Sequence, residues 1–337
     1  MPSTSSHGRE REPSAFARKR ASALADRSHP RANILGCGIP AAWIFGFFVV
    51  VILLSLIGCA GPARFAQAQA TAGRNLLAQG WEAVQQGKWN QAEDCLSRAV
   101  QAQPEDEKAR SQYAAVLWHR GAQDDAIVQM SEAVRLSQGD PSLRIQLGEM
   151  HLARGELQQA WNEAESALAN DRARCEAWAL RGDVQKKAGR LQDALDDYHR
   201  ALCYREHFPR VQLEIAQIQS QLGRPQRALS VLQRLEEQYP AGQAPTDVLA
   251  MQGLCLQSLE RHEEAATMLA KAVRQQGPNT ELLYRLAESQ FHAGHADAAS
   301  TSLEHALRLS PKHGPSVALM SRVEEAQRQL ETARSLR

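Results

Sequence analysis

The chain has 337 residues, only 5% of them aromatic, with 23% charged side chains and a formal charge of +1. That charge is unevenly placed: residues 1–59 carry seven Lys/Arg against three acids, and the rest carries 32 basic against 35 acidic side chains. A weakly acidic body lacks the concentrated basic face that grips a nucleic-acid backbone, which argues against nucleic acid as a partner.

Taken in chain order, residues 1–33 are rich in Ser, Pro, Arg and Ala and read as a disordered basic tail. No charged side chain occurs between Arg31 and Arg64, and residues 34–59 read as a transmembrane anchor or a lipoprotein signal segment. The centre of this segment, "IPAAWIFGFFVVVILLSLIG" (Ile39–Gly58), is about 20 residues long, the thickness of a hydrocarbon core when helical. Trp43 near its start suits the membrane interface. Five Lys/Arg lie within Arg18–Ala32 ahead of it, so the positive-inside rule predicts a cytoplasmic tail and an exported, periplasmic remainder. The stretch Leu56-Ile57-Gly58-Cys59 resembles a bacterial lipobox, and that resemblance implies lipidation of Cys59. The apolar run is also long enough to remain as a span, so both forms of membrane attachment through residues 39–59 stay open. Residues 60–72 read as a short linker.

Beyond it the sequence repeats. Alanine recurs at Ala92, Ala126, Ala160, Ala194, Ala228, Ala265 and Ala299, in steps of 34 residues with a single step of 37. Seven residues later comes a second small column, broken only by Leu235, and twelve before it stands Gly or Ala throughout (Gly80, Ala114, Gly148, Gly182, Ala216, Gly253, Ala287). Five before it stands glycine, except for Glu260. A residue without Cβ reverses the chain cheaply between two helices. Small columns let paired helices approach, and the side chains four after the first alanine, mostly bulky, fill the grooves so left. Prolines near the unit ends stop one helix before the next begins.

This register resembles the tetratricopeptide repeat, a 34-residue helix–turn–helix. The segment "AWALRGDVQKKAGRLQDALDDYHRAL" (Ala177–Leu202) is its clearest copy. The resemblance implies an all-α fold, an α-solenoid wound as a right-handed superhelix. Seven units are expected over 73–313, at 73–106, 107–140, 141–174, 175–208, 209–245, 246–279 and 280–313, with a capping helix over 314–337. The three extra residues fall in "YPAGQAPTD" (Tyr239–Asp247) and either lengthen a loop or let the last two units pivot.

The same resemblance implies that the first helices line a concave groove receiving a protein or peptide partner. Its inward offsets fall on Trp81, Trp118, His119, Glu149, Asp183, Lys186, Lys187, Gln217, Tyr284, Glu288 and Phe291. Aromatics are thus expected toward both ends and opposite charges between them, with the two lysines solvated and the two tryptophans either partly completing the core between units or contacting the partner. The Lys/Asn/Arg clamp of the chaperone-tail binders is missing, because its positions hold Leu77, Trp81, Gln112, Glu176 and Leu180. Catalytic motifs are absent, no metal or cofactor is expected, and His292 and His295 read as solvated. The four cysteines after Cys59 read as small buried side chains. Together these features predict a non-catalytic, membrane-tethered scaffold or adaptor for cell-envelope assembly or secretion. The alternative is a non-catalytic subunit or holding factor of an envelope enzyme complex, and nothing in the sequence names the partner or the oligomeric state.

Overall fold

The computed structural model describes residues 67–240 and 242–335, and every regular element among them is helical. The expected tail, the apolar segment and Cys59 lie outside the described residues. Among the described residues no helix is long and apolar enough to cross a membrane.

Helix α1 occupies residues 67–85 and pairs with α2 (Trp89–Ala102). The next pairs are α3 (Glu107–His119) with α4 (Gln123–Leu136), α5 (Pro141–Ala153) with α6 (Leu157–Asn170), and α7 (Cys175–Lys187) with α8 (Leu191–Tyr204). Then come α9 (Pro209–Gln221) with α10 (Pro225–Glu236), α11 (Thr246–Ser258) with α12 (His262–Gln276), and α13 (Thr280–His292) with α14 (Ala296–Leu309). Helix α15 (Gly314–Ser335) closes the stack. Residues 67–72, expected in the linker, are already helical.

Local chemistry sets these boundaries. The carboxylates of Asp106 and Asp140 and the amide oxygen of Asn279 accept backbone N–H groups at the starts of α3, α5 and α13. Pro141, Pro209 and Pro225 occupy first turns, where a missing N–H costs nothing. Between the helices of six pairs the turn glycine takes a left-handed conformation with φ between 69° and 86°. In the pair that lacks it, Glu260 adopts φ 59°. The turn geometry is therefore kept and a side chain is forced into it.

The alanine column Ala92 to Ala299 is fully buried. At Gly80, Gly182 and Gly253 an added Cβ would come within 2.6, 2.7 and 2.6 Å of Leu96, Tyr198 and Leu269, the bulky residues of the same pairs. Gly148 faces the exception, the small Ala164, and its space is filled by Leu180 from the next pair, 2.6 Å from an added Cβ. Each such buried side chain contributes about 1.5–3 kcal/mol. The extra residues near Tyr239 are packed against the following pair. Ala244 is buried with Leu249 and Ala272, and Gln275 Nε2 donates to the carbonyl of Gly242 at 2.8 Å.

Neighbouring first helices touch one another (α5 with α7, α9 with α11, α11 with α13), whereas among the described residues no two second helices approach comparably. A stack in which one row is closer-spaced must curve toward that row. The first helices accordingly line the inner face. Three of the four later cysteines are buried as expected, and burial pushes the Cys255 thiol up to about 11. Cys203 departs from the expectation: in the last turn of α8 it faces outward and is exposed.

Candidate functional site: the inner groove

At the start of the groove Trp81 of α1 is 50% exposed, an unusual position for so large an apolar side chain. Together with Trp118 and His119 it lines a cleft of about 470 Å³. Trp118 is also partly buried against the cluster around Met130 and Leu147, so it serves core and cleft together. His119 stacks on Trp89, with ring centroids 3.5 Å apart and planes 14° from parallel. Trp89 opens a second helix and so lies outside the inward offsets of the first helices; its place two residues after the turn glycine is the signal that marks it. The amide oxygen of Gln112, beneath the cleft wall, is buried and has no hydrogen-bond partner among the described residues.

The middle of the groove is a charge lattice across α5, α7 and α9. Asp183 accepts from the Tyr198 hydroxyl at 2.6 Å and from Arg210 Nη1 at 2.8 Å. Burial, with the neighbouring Asp183 charge, pushes the Tyr198 phenol well above its usual range, so it remains a donor. Lys186 ion-pairs with Glu214. The Lys187 ammonium donates to the carbonyl of Leu152 at 3.3 Å. The expectation of two solvated lysines is corrected for Lys186 alone. It is half-buried and held to Glu214 of α9, because the groove's curvature brings that helix within reach of a lysine stem, whereas Lys187 is exposed. Glu149 reaches solvent, yet its carboxyl lies above the usual glutamate range. The groove walls displace water from it, Arg210 opposes the rise and Asp183 adds to it.

Toward the far end Gln217 and Glu288 meet in a second cleft, of about 500 Å³, with Gln257, Arg285, His262 and His292. Glu288 accepts from the Tyr284 hydroxyl at 3.2 Å and pairs with Arg285 at 3.3 Å. Tyr284 and Phe291 are partly buried against the cluster of Leu303, Leu319 and Val323 that seats α15. Phe291 thus helps close the stack, a role the inward offset did not reveal. His292 stacks on His262 with centroids 5.0 Å apart, and His295 Nε2 lies 3.0 Å from a Glu263 oxygen. Among the described residues no group of three or more His, Cys, Asp or Glu is placed to hold a metal ion.

A curved stack of helical hairpins with a polar, aromatic-ended inner face defines an α-solenoid of the repeat class. The tetratricopeptide repeat family matches residues 77–141, 186–251 and 256–323, and the chain belongs to that family. Among solved structures it is similar to a tetratricopeptide repeat protein from Parabacteroides merdae, at 14% identity over 75% of this chain and 99% of that one, with a TM-score of 0.55. The C-terminal part of a TPR repeat-containing protein from Cytophaga hutchinsonii matches at 12% identity over 72% and 99%, also at 0.55. Yeast Tom70 matches at 16% identity over 79% of this chain and 56% of its own, at 0.51. At such identities the likeness is one of fold. Comparison with curated proteins gives no match.

Proposed function

We propose that the chain is a non-catalytic scaffold that holds a segment of a protein partner in its inner groove. The observation that carries this is the open aromatic cleft at Trp81, Trp118 and His119, on the same row of first helices as the charge lattice around Asp183. An apolar side chain of the partner fills the cleft against Trp81 and Trp118. Beyond it, Glu149 and the Lys187 ammonium present charges of both signs.

The scaffold is held at a membrane by residues 39–59, with the repeats on the non-cytoplasmic side, and works in cell-envelope assembly or secretion. The apolar run, the basic flank before it and the Leu56–Cys59 stretch support this attachment. Because α1 is helical from residue 67, only residues 60–66 separate Cys59 from the first described helix, a reach of about 25 Å when extended.

A photo-crosslinking residue placed at Trp81 or Asp183 in the full chain tests the groove, with Val128, 61% exposed on α4, as the control. The same partner crosslinked from both groove positions and not from Val128 supports the reading; equal yield from all three refutes it. Membrane fractionation with fatty-acid labelling tests the tether. Label lost on Cys59→Ala establishes a lipid anchor, an unlabelled chain that keeps Met1 in the membrane fraction establishes a span, and a chain wholly in the soluble fraction removes the tether.

A further inference from the structure

The curvature that gathers the first helices into a groove spreads the second helices and opens crevices on the outer face. One crevice differs in chemistry from those before it. Between α6 and α8 lies a space of about 590 Å³ with α7 as its floor, bounded by Trp178, Arg172, Arg200 and Tyr204. In the two preceding pairs the same floor position holds an arginine satisfied within its own pair. Arg110 donates to Gln129 Oε1 at 2.8 Å, and Arg144 donates to Glu163 Oε2 at 2.9 Å.

In α7 that position is Trp178, and the acceptor that would answer it, Asp197, is taken by Arg181 instead. Arg181 also binds Glu165, so the carboxylate that lines the crevice is committed to the same guanidinium as the buried Asp197 beneath it. Arg200 lies over the Trp178 ring, 4.9 Å from its centroid. Among the described residues neither Arg172 nor Arg200 has a carboxylate partner. A guanidinium held over an indole keeps its in-plane N–H fork for a planar acceptor, and a carboxylate matches that fork.

We propose that this outer crevice is a second docking site, separate from the groove, which takes an acidic segment of a protein partner. A glutamate or aspartate carboxylate of that segment meets Arg172 and Arg200, and an adjacent apolar side chain lies against Trp178 and Tyr204, the latter 52% exposed. Charge decides the occupant: three guanidiniums line the crevice with one carboxylate, Glu165, which Arg181 already holds, and Arg172 and Arg200 are exposed. In the groove, by contrast, Lys186 and Arg210 are already answered by Glu214 and Asp183.

The test uses the full chain in detergent and a fluorescein-labelled peptide of alternating glutamate and phenylalanine, with its lysine counterpart as control, read by fluorescence anisotropy. The acidic peptide is expected to bind, more weakly as salt rises. The double variant Arg172→Ala, Arg200→Ala should weaken it at least about tenfold, as expected for losing charge-assisted bonds. Both side chains are exposed, so helicity and thermal unfolding should be unchanged. Lys187→Ala, which removes an exposed groove lysine with no ion pair to another helix, should bind it as the parent does. Equal binding by the double variant, or by the lysine peptide, overturns the proposal. Loss on Lys187→Ala alone assigns the acidic ligand to the groove and overturns this site while leaving the groove reading intact. A concentration-dependent dimer that only the double variant lacks assigns the crevice to a second copy and also overturns it.

Discussion

Replacing Arg181 by methionine isolates the most buried ion pair among the described residues, which joins the two helices of one pair. Arg181 donates to Asp197 through two bonds, Nε to Oδ2 at 3.0 Å and Nη2 to Oδ1 at 2.6 Å. The Asp197 side chain is 6% exposed and that of Arg181 14%, whereas Glu165, the other partner, is 44% exposed. The Glu165 contact is therefore screened and adds little. Loss of the guanidinium strands Asp197 without a partner, and breaking a buried pair from one side costs about 3–5 kcal/mol. Methionine retains most of the apolar stem, so packing against Trp178 and Trp161 changes less than the charge does. Removing both partners, Arg181→Met with Asp197→Leu, should return stability to within about 1–2 kcal/mol of the parent, since an apolar pair of similar size needs no desolvated charge. Urea unfolding followed by circular dichroism measures the sum, and hydrogen exchange localises the loss to α7 and α8, as nearest-neighbour repeat coupling requires. A single variant costing under about 1 kcal/mol, or a double variant worse than the single, would refute the account of a buried pair whose value lies in mutual neutralisation.

Two further outcomes are expected. Glu260→Gly should raise stability by about 0.5–1 kcal/mol, because glycine takes φ 59° without the Cβ conflict, less its larger unfolded-state entropy; a lower thermal midpoint would remove the strain argument. Glu149, whose folded pKa is raised above the ordinary 4.5, binds its proton more tightly folded than unfolded. Its ionisation therefore costs stability as pH rises from about 4.5 through the folded value. Glu149→Gln should flatten that part of the stability–pH curve, and parallel curves for variant and parent would show that the groove walls do not desolvate this carboxyl.

How much of the protein could be read from residues alone follows from the range of each interaction. Turn glycines, capping Asp106 and Asp140, first-turn prolines and the paired small columns act at fixed offsets within one hairpin. The 34-residue phase therefore predicted helix–turn–helix pairs, and even the odd position of Glu260 stood out before its φ was known. The groove was legible in outline, since Trp81, Trp118, Glu149, Asp183 and Lys186 share the first helices. Their partners were not. Lys186 meets Glu214 and Asp183 meets Arg210 across 28 and 27 residues. Those meetings depend on how far one pair is rotated against the next, a quantity that no single column records. The same rotation placed Leu180 over Gly148 where Ala164 left room and drew Phe291 under α15. The sequence by itself determined the unit: hairpin length, turn, cap and the small faces on which helices meet. Only the tertiary structure decided the inner and outer faces, because side chains of different units find one another through the curvature summed over the whole stack.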